Sequence, residues 1–142
     1  MTDMLSQVSK IDVITASGTT NQIKTPVLDM DEDGGFTNVM FFAAASVTAT
    51  GQYLGFRMGT ASASAGLETA TGDVTHTLAN LYLDVHKPRF RYVQGLFTAA
   101  SASSPHRAIG AIRYGARSVP TTQPAAMTGA QLYSPSTGGS TA

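Results

Sequence analysis

The sequence contains no cysteine and no tryptophan, and only 13% of its residues are charged. Without cysteine the chain can form no disulfide, no thiol nucleophile and no Cys-based zinc site. Nine basic and nine acidic residues give a formal net charge of zero, so no overall basic field attracts nucleic acid or anionic lipid. No apolar run approaches the ~20 residues of a membrane span, and the N-terminal residues lack a signal-peptide pattern. We therefore expect no nucleic acid and no membrane among the partners of this protein.

The length of 142 residues favours a single domain that buries its own core. We expect an N-terminal arm over residues 1–9, a folded domain over 10–117 and a flexible C-terminal arm over 118–142. The C-terminal arm has three prolines, no charged residue and too few large apolar side chains to build a core. Its bulky pair, Leu132 and Tyr133, is a candidate anchor on a neighbouring subunit.

Alternation of apolar and polar residues with a period of two dominates the chain, and no segment holds a helical period. The alternation is clearest in Val74–Val85, where Leu81 and Leu83 fall on one face and Tyr82 and Asp84 on the other. Short strands separated by turn residues are typical of a β-sandwich. We therefore predict an all-β fold, a β-sandwich of jelly-roll type with extended termini. The predicted strands are Lys10–Thr15, Gln22–Met30, Phe36–Thr50, Gln52–Met58, Val74–Val85, Arg89–Ala99 and His106–Ala116.

The predicted strand Phe36–Thr50 departs from this alternation, because Val39–Ala45 is apolar without interruption. A short helix is one interpretation of this run, but the Thr- and Val-rich residues that follow it favour a strand. A continuously apolar strand is typical of one that is covered on both faces. We therefore predict that both faces of this strand are buried.

The zero net charge hides a strong asymmetry along the chain. All nine acidic residues lie at or before Asp84, and six of the nine basic residues follow it. The first part therefore carries a charge of −6 and the last part a charge of +6. Two interpretations are open: the two parts pair with each other within one sandwich, or they present an acidic and a basic surface to different neighbours.

The segment Asp29–Gly34 matches the opening of a calcium-binding loop, with acids at alternate positions before a glycine. The bidentate Glu that closes such a loop is missing, because Met40 stands at its twelfth position. We therefore interpret the segment as a hairpin loop in which Asp33-Gly34 or Gly34-Gly35 supplies the positive-φ turn and the acids are solvated. A weak calcium site of another type is the alternative, since clustered carboxylates repel each other.

The sequence contains no recognisable catalytic or cofactor-binding set. Its three histidines have no metal-ligand spacing, and it has no nucleophile elbow, phosphate-binding loop or dinucleotide fingerprint. Nine acidic residues offer many carboxylate pairs, but no feature selects one pair for hydrolysis. We therefore predict a protein that is not an enzyme and that has no catalytic residue, metal ion or cofactor.

A basic run, His86–Tyr92, is the other distinctive local feature. As an extended strand it would place Lys87, Arg89 and Arg91 on one face and the aromatic residues on the other. Pro88 cannot donate a ladder hydrogen bond, which favours the start of a strand or a sheet edge. We predict that the three cations bind an acidic surface of a partner protein, with a solvated basic strand as the alternative. Single-stranded nucleic acid is disfavoured, because the aromatic rings turn away from the basic face.

Two tracts, Leu83–Val93 and Ala108–Arg117, resemble the small cement proteins that decorate the capsids of short-tailed bacteriophages. The acidic turn before Phe36 and the Val39–Ala45 tract fit the same family, and the resemblance covers residues 10–120. It implies a jelly-roll fold, synthesis in the host cytoplasm, homodimers on the outer surface of the virion capsid, and a role in clamping adjacent subunits of the major capsid protein. It implies no catalytic residue. Two other classes stay open: a receptor- or carbohydrate-binding sandwich of a phage tail, and a small carboxylate-dependent hydrolase.

Overall fold

The computed structural model describes residues 5–17, 22–45, 52–63, 66–69, 74–76, 80–98, 106–118 and 121–124. Strands dominate this part of the chain, and its helical residues are the single turn α1 (Leu5–Val8), a 3-10 turn at Glu32–Gly34 and the 3-10 residue Gly66. The predicted all-β fold is therefore confirmed. No helix in the described ranges has the length and apolar composition of a membrane span. The strands are β1 (Lys10–Ser17), β2 (Gln22–Lys24), β3 (Leu28–Asp29), β4 (Phe36–Ala45), β5 (Gln52–Gly59), β6 (Glu68–Thr69), β7 (Val74–His76), β8 (Asn80–His86), β9 (Tyr92–Thr98) and β10 (His106–Ala116).

The strands form two antiparallel sheets in which neighbours come from distant parts of the chain. Sheet A has the order β1-β10-β4-β8, and sheet B has the order β2-β9-β5-β6. The short strand β3 continues the pairing of β2 along β9, and β7 pairs with β5 on the same side as β6. The chain therefore passes repeatedly between the two sheets instead of completing one before the other.

One hydrophobic core lies between the sheets. Phe41 on β4 of sheet A stacks on Phe56 on β5 of sheet B, with ring centroids 6.2 Å apart. Both sheets supply further buried residues to the same cluster, so they form the two halves of a sandwich. The buried members include Ile23, Leu28, Val39, Leu54, Val93, Phe97, Ile109 and Ala111.

The prediction of one strand over Gln22–Met30 is wrong, because the chain leaves the ladder between β2 and β3. Pro26 has no N–H to donate at this point. Thr25 still bonds to β9, but partly through its side chain. Its N–H donates to the Gly95 carbonyl at 3.0 Å, and its hydroxyl accepts from the Gly95 N–H at 2.9 Å. A side-chain oxygen thus stands in for a backbone carbonyl where the strand is interrupted.

The prediction of one strand over Val74–Val85 is also wrong, because β7 belongs to sheet B and β8 to sheet A. The predicted alternation nevertheless holds within β8, where Leu81 is buried while Tyr82 and Asp84 are exposed. Alternation indicates which residues of a strand face the core, but it does not indicate to which of the two sheets the strand belongs. The sequence pattern therefore does not reveal the change of sheet.

Only one face of β4 is fully buried, which contradicts the prediction that both faces are covered. Val39, Phe41 and Ala43 point into the core, whereas Met40 and Phe42 lie half-buried on the other side of sheet A. The strand ends at Ala45, and residues 46–50 lie outside the described ranges. The apolar run thus gives sheet A an apolar outer surface in addition to its core surface.

Residues 121–124, within the predicted C-terminal arm, lie along the edge of β1. The Thr121 hydroxyl donates to the Ser9 carbonyl at 2.6 Å. The side-chain amide of Gln123 accepts from the Ile11 N–H at 2.9 Å and donates to the Ser9 carbonyl at 2.7 Å. One residue of a parallel strand would make the same two bonds with its own N–H and C=O, so this side chain satisfies edge groups that another chain could otherwise pair with.

The predicted division into two arms and a domain stays a prediction. Residues 1–4 of the N-terminal arm and 125–142 of the C-terminal arm lie outside the described ranges. The predicted anchor, Leu132 and Tyr133, is among them.

Candidate functional site

Four cationic side chains line one cleft at the turn between β8 and β9. The cleft has a volume of about 360 Å³, and the buried side chains of Met30 and Phe36 contribute to its lining. The carboxylate residue Asp31 also lines it. We call this site the basic cleft, and its cations are Lys87, Arg89, Arg91 and Arg117.

Three of these cations are the predicted site residues, but they reach the cleft from a turn and not from a strand. Lys87 has a φ of 50°, in the left-handed region, and its N–H donates to a carbonyl of β4 at 3.0 Å. β9 begins only after Arg91, so the predicted strand Arg89–Ala99 starts too early. The bend at Lys87 breaks the extended geometry, and the prediction that Lys87, Arg89 and Arg91 share one strand face is wrong. The structure nevertheless brings all three to the basic cleft.

Arg91 is held by the acidic turn that precedes β4. Its guanidinium donates two hydrogen bonds, both of 2.8 Å, to the two carboxylate oxygens of Asp29. An oxygen of a second carboxylate, that of Asp31, lies 3.6 Å from its Nε. The hydrogen bonds from Arg91 lower the pKa of Asp29, and the same bonds raise the pKa of Arg91. Arg91 therefore joins the acidic turn to the β8–β9 turn, and much of its charge is compensated within the protein.

Arg117 enters the basic cleft just after β10, and the sequence analysis missed it. Its N–H donates to the Gly35 carbonyl at 2.9 Å, and its side chain lies against the same glycine. A Cβ on Gly35 would lie 3.2 Å from Cδ of Arg117, and the φ of 109° at Gly35 is one that other residues rarely adopt. Gly35 thus provides the space that Arg117 occupies. The available signal was the Gly34-Gly35 pair, which marks a place where another segment can approach closely.

A second group of charged residues joins β1, β10 and the acidic turn. Arg113 has only 3% of its side chain exposed and contacts Glu32 at 2.8 Å and Asp12 at 3.2 Å. Lys10, with 7% exposed, contacts Glu32 at 2.7 Å and Asp33 at 3.0 Å. We call these five residues the buried charge cluster. Both cations are surrounded by carboxylates, which is the arrangement that makes a buried charge tolerable.

Asp31, Glu32 and Asp33 are exposed, as predicted for solvated acids, but the loop also pairs with cations, which the prediction did not include. The predicted positive-φ turn is confirmed at Asp33, Gly34 and Gly35. The predicted hairpin is wrong, because β3 pairs with β9 in sheet B and β4 pairs with β8 and β10 in sheet A. The pairs of Asp29 with Arg91 and of Glu32 with Arg113 join the acidic first part of the chain to the basic last part. The interpretation that the two parts pair within one sandwich is thus confirmed. Among the described residues, no group of three His, Asp or Glu side chains could hold a metal ion.

These contacts predict a loss of stability in acid. The hydrogen bond from Lys10 lowers the pKa of Asp33. Burial raises the pKa of Glu32, but the hydrogen bonds from Lys10 and Arg113 outweigh burial, so the pKa of Glu32 is also lowered. Carboxylates with depressed pKa values stabilise the fold above their unfolded pKa of about 4 and lose that contribution as pH falls through the folded value. We expect the Tm at pH 3 to lie about 5–10 °C below that at pH 6.

The Glu32→Gln variant is the matched control for this acid effect, because it removes one of the titrating groups. Its Tm at pH 6 should already be lower, and it should fall less between pH 6 and pH 3 than that of the natural sequence. Differential scanning calorimetry at both pH values provides the comparison. Equal falls in the two proteins would contradict a contribution from Glu32.

The outer face of sheet A, the side turned away from the core, is apolar at its centre. The cross-strand neighbours Val13, Gly110, Phe42 and Tyr82 form one row across all four strands. Tyr82 is 70% exposed and Val13 is 41% exposed. The Phe42 ring lies over Gly110, where a Cβ would come within 2.3 Å of its Cζ. The row is therefore a continuous apolar strip with a protruding tyrosine at one end.

The neighbouring row of the outer face is apolar along three strands and carries a carboxylate on the fourth. It consists of Ile11, Ile112, Met40 and Asp84. The Asp84 carboxylate accepts a hydrogen bond of 2.6 Å from the hydroxyl of Tyr114, which raises the pKa of that tyrosine. This contact satisfies one carboxylate oxygen within the sheet. The two rows together make the centre of the outer face of sheet A apolar, with the Asp84 carboxylate at one edge.

Comparison with known proteins adds little to this description. No protein-family model matches the chain, and no curated protein matches it. Among solved structures, the chain is similar to the crystal structure of PirA, with 9% sequence identity and a TM-score of 0.40 over 73% of this chain and 92% of that one. A similarity of this size carries no argument about fold or function.

Proposed function

We propose that the two sheets form a jelly roll. If β2 and β3 are taken as one strand, and β6 and β7 as another, eight strands remain in the orders 1-8-3-6 and 2-7-4-5. Each sheet then alternates strands from the two halves of the chain, as two Greek keys folded over each other do. Jelly rolls of eight strands are frequent in viral capsid domains. The strand order thus supports the fold that the resemblance to cement proteins implies.

We propose further that the protein is a structural cement protein that decorates the outer surface of an icosahedral phage capsid. In this role a homodimer clamps adjacent subunits of the major capsid protein. The two tracts that resemble cement proteins, Leu83–Val93 and Ala108–Arg117, support the proposal. The observation that carries it is the outer face of sheet A, because an exposed apolar strip on a flat sheet is suited to docking another protein.

The occupant that we propose for the outer face is a second copy of the chain. A two-fold axis places the same patch against itself, so a patch of strong charge would repel its copy. The central row has no charged residue, and Asp84 in the next row is hydrogen-bonded to Tyr114. Four strands of about seven residues present roughly 400 Å² of flat sheet per copy, at strand spacings of ~4.8 Å. This area is small for a permanent dimer and fits a weak one that a capsid lattice reinforces.

A Tyr82→Asp variant tests the pairing of copies. Because Tyr82 is 70% exposed, the substitution leaves the core intact while placing two carboxylates near each other in the dimer. We expect sedimentation equilibrium to show a dimer of the natural sequence with a dissociation constant in the micromolar range, and at least tenfold weaker association of the variant. Thr60→Asp, at an exposed residue beyond β5, is the control with the same charge change. A natural sequence that stays monomeric at millimolar concentration would contradict the proposal.

The capsid role itself is tested by mixing the purified protein with phage shells that lack it and imaging the particles. The partner residues in the proposal are Lys87, Arg89 and Arg91 of the basic cleft, together with Leu132 and Tyr133 of the C-terminal arm. We expect ordered density on the outside of the shells and a loss of occupancy as salt increases, since exposed charges are screened first. Shells that remain bare at low salt would contradict the cement function.

A further inference from the structure

We propose that the basic cleft binds a short acidic peptide segment through its carboxylates. Lys87 and Arg117 are both exposed, line the same cleft and come from separate turns of the chain. Their backbones are fixed, by the hydrogen bond of Lys87 to β4 and by that of Arg117 to Gly35. Two cations whose backbones are anchored before the ligand binds lose less conformational freedom on binding than two on a flexible loop. Carboxylates that reach both would receive charge-assisted hydrogen bonds.

The size and lining of the cleft favour a few acidic side chains over a long polyanion. A volume of about 360 Å³ is at the lower end of the range for ligand pockets. The buried Met30 and Phe36 contribute apolar lining, against which the methylene groups of a glutamate can pack. Asp31 contributes an acid to the wall, so the site offers a local patch of positive charge and not an extended track.

The aromatic residues beside the cleft argue against single-stranded nucleic acid. Binding of that kind needs aromatic rings on which bases stack. The Arg89 guanidinium lies 4.6 Å from the centre of the Phe90 ring, and that of Arg91 lies 5.1 Å from the centre of the Tyr92 ring. Both rings therefore have a face already covered by a cation of the same protein. Each ring therefore has one face fewer on which a base could stack, which disfavours single-stranded nucleic acid as the ligand.

The identity of the acidic segment rests on the proposed function. In a cement protein, the basic cleft would bind an exposed acidic loop of the major capsid protein. The site itself does not depend on that source, because its chemistry selects carboxylates on any extended peptide. Binding to an isolated peptide and binding to shells are therefore separate measurements, and each can fail without the other.

The probe is a hexaglutamate peptide with blocked ends, titrated at low salt into the full-length protein and followed by calorimetry and by ¹⁵N NMR shifts. Hexaglutamine is the uncharged control, and a hexathymidylate oligonucleotide is the polyanion control. We expect hexaglutamate to shift the amides of residues 87–91 and 117 and to bind more tightly than either control. Lys87→Ala and Arg117→Ala should each weaken binding about 1.5- to 5-fold, and the double variant more than either one. Lys24→Ala, an exposed lysine on β2 outside the cleft, should leave it unchanged.

Each outcome of these titrations decides a separate point. Equal affinity of the double variant and the natural sequence would overturn the site, and tighter binding of hexathymidylate would overturn the ligand class. If hexaglutamate binds in the cleft while shells stay bare, the site stands and the cement function fails. If shells are occupied while no peptide shifts the cleft residues, the function stands on another surface and the site fails.

Discussion

Replacing Arg113 with methionine is expected to lower the free energy of unfolding by about 3–4 kcal/mol. The Arg113 side chain is only 3% exposed and holds Asp12 and Glu32 at 3.2 and 2.8 Å. Its guanidinium carbon also lies 5.5 Å from the centre of the Phe36 ring. Methionine keeps much of that packing, so the loss reports the charge and its hydrogen bonds. The substitution leaves the mostly buried Asp12 carboxylate without its cation. An unpaired buried charge destabilises the fold by more than the intact ion pair stabilises it.

Two control variants isolate this effect in urea unfolding at pH 7. Arg117→Met removes the same group from an exposed residue, and we expect a change within about 0.5 kcal/mol. Arg113→Lys keeps the charge but presents a single ammonium in place of the planar fork, so its stability should fall between those of the natural sequence and Arg113→Met. A loss of less than about 1 kcal/mol for Arg113→Met would show that the cluster contributes specificity of structure and little stability.

The buried charge cluster could be predicted only as one of two alternatives. Charge counting along the chain showed that all nine acids lie at or before Asp84 and that six of the nine bases follow it, which is consistent with pairing inside the sandwich. Counting could not select the partners, because Arg113 lies 81 residues from Glu32 and Arg91 lies 62 residues from Asp29. The strand pairing brings these groups together: β10 lies beside β1 in sheet A, which places Arg113 near Asp12, and β3 lies beside β9 in sheet B, which places Asp29 near Arg91.

Strand positions were predictable wherever local chemistry determines them. The predicted strand His106–Ala116 has the same bounds as β10, and in the sequence a Ser-Pro turn signal comes directly before its first residue. Gln52–Met58 differs from β5 by one residue. The errors fall where a longer-range contact determines the outcome, as at Thr25, whose hydroxyl bonds to a glycine on β9. Sequence periodicity has no access to such a contact.

The basic cleft was predicted in composition but not in geometry. Lys87, Arg89 and Arg91 were identified from their charge and spacing, and a strand was assumed because alternation continues through them. Lys87 adopts a left-handed conformation instead, next to a proline that cannot pair in a ladder. The resulting turn gathers the cations around a cleft, to which Arg117 is added from the end of β10. A turn can therefore concentrate charges that a strand would spread along a face.

Replacing Gly95 with alanine is expected to lower the free energy of unfolding by about 2–3 kcal/mol. A Cβ at this position on β9 would lie 2.4 Å from Cδ1 of Phe41. Phe41 is fully buried and its ring stacks on Phe56 across the core, so it has no free volume into which to move. The added methyl must therefore separate the two sheets or displace the ring from its rotamer.

Gly110→Ala is the matched comparison, because a Cβ there would meet another phenylalanine ring at 2.3 Å. That ring belongs to Phe42 on the outer face of sheet A, and the contact is made by its far end, which can swing into solvent. Alanine also favours the strand over glycine, so the stability should change by less than about 0.5–1 kcal/mol. The displaced Phe42 ring would instead disturb the apolar row on which the proposed dimer depends. We expect urea unfolding to separate the two variants in stability and sedimentation to show weaker pairing for Gly110→Ala. Equal stability losses in both would mean that the outer face is as tightly packed as the core, and hence not a surface that awaits a second copy.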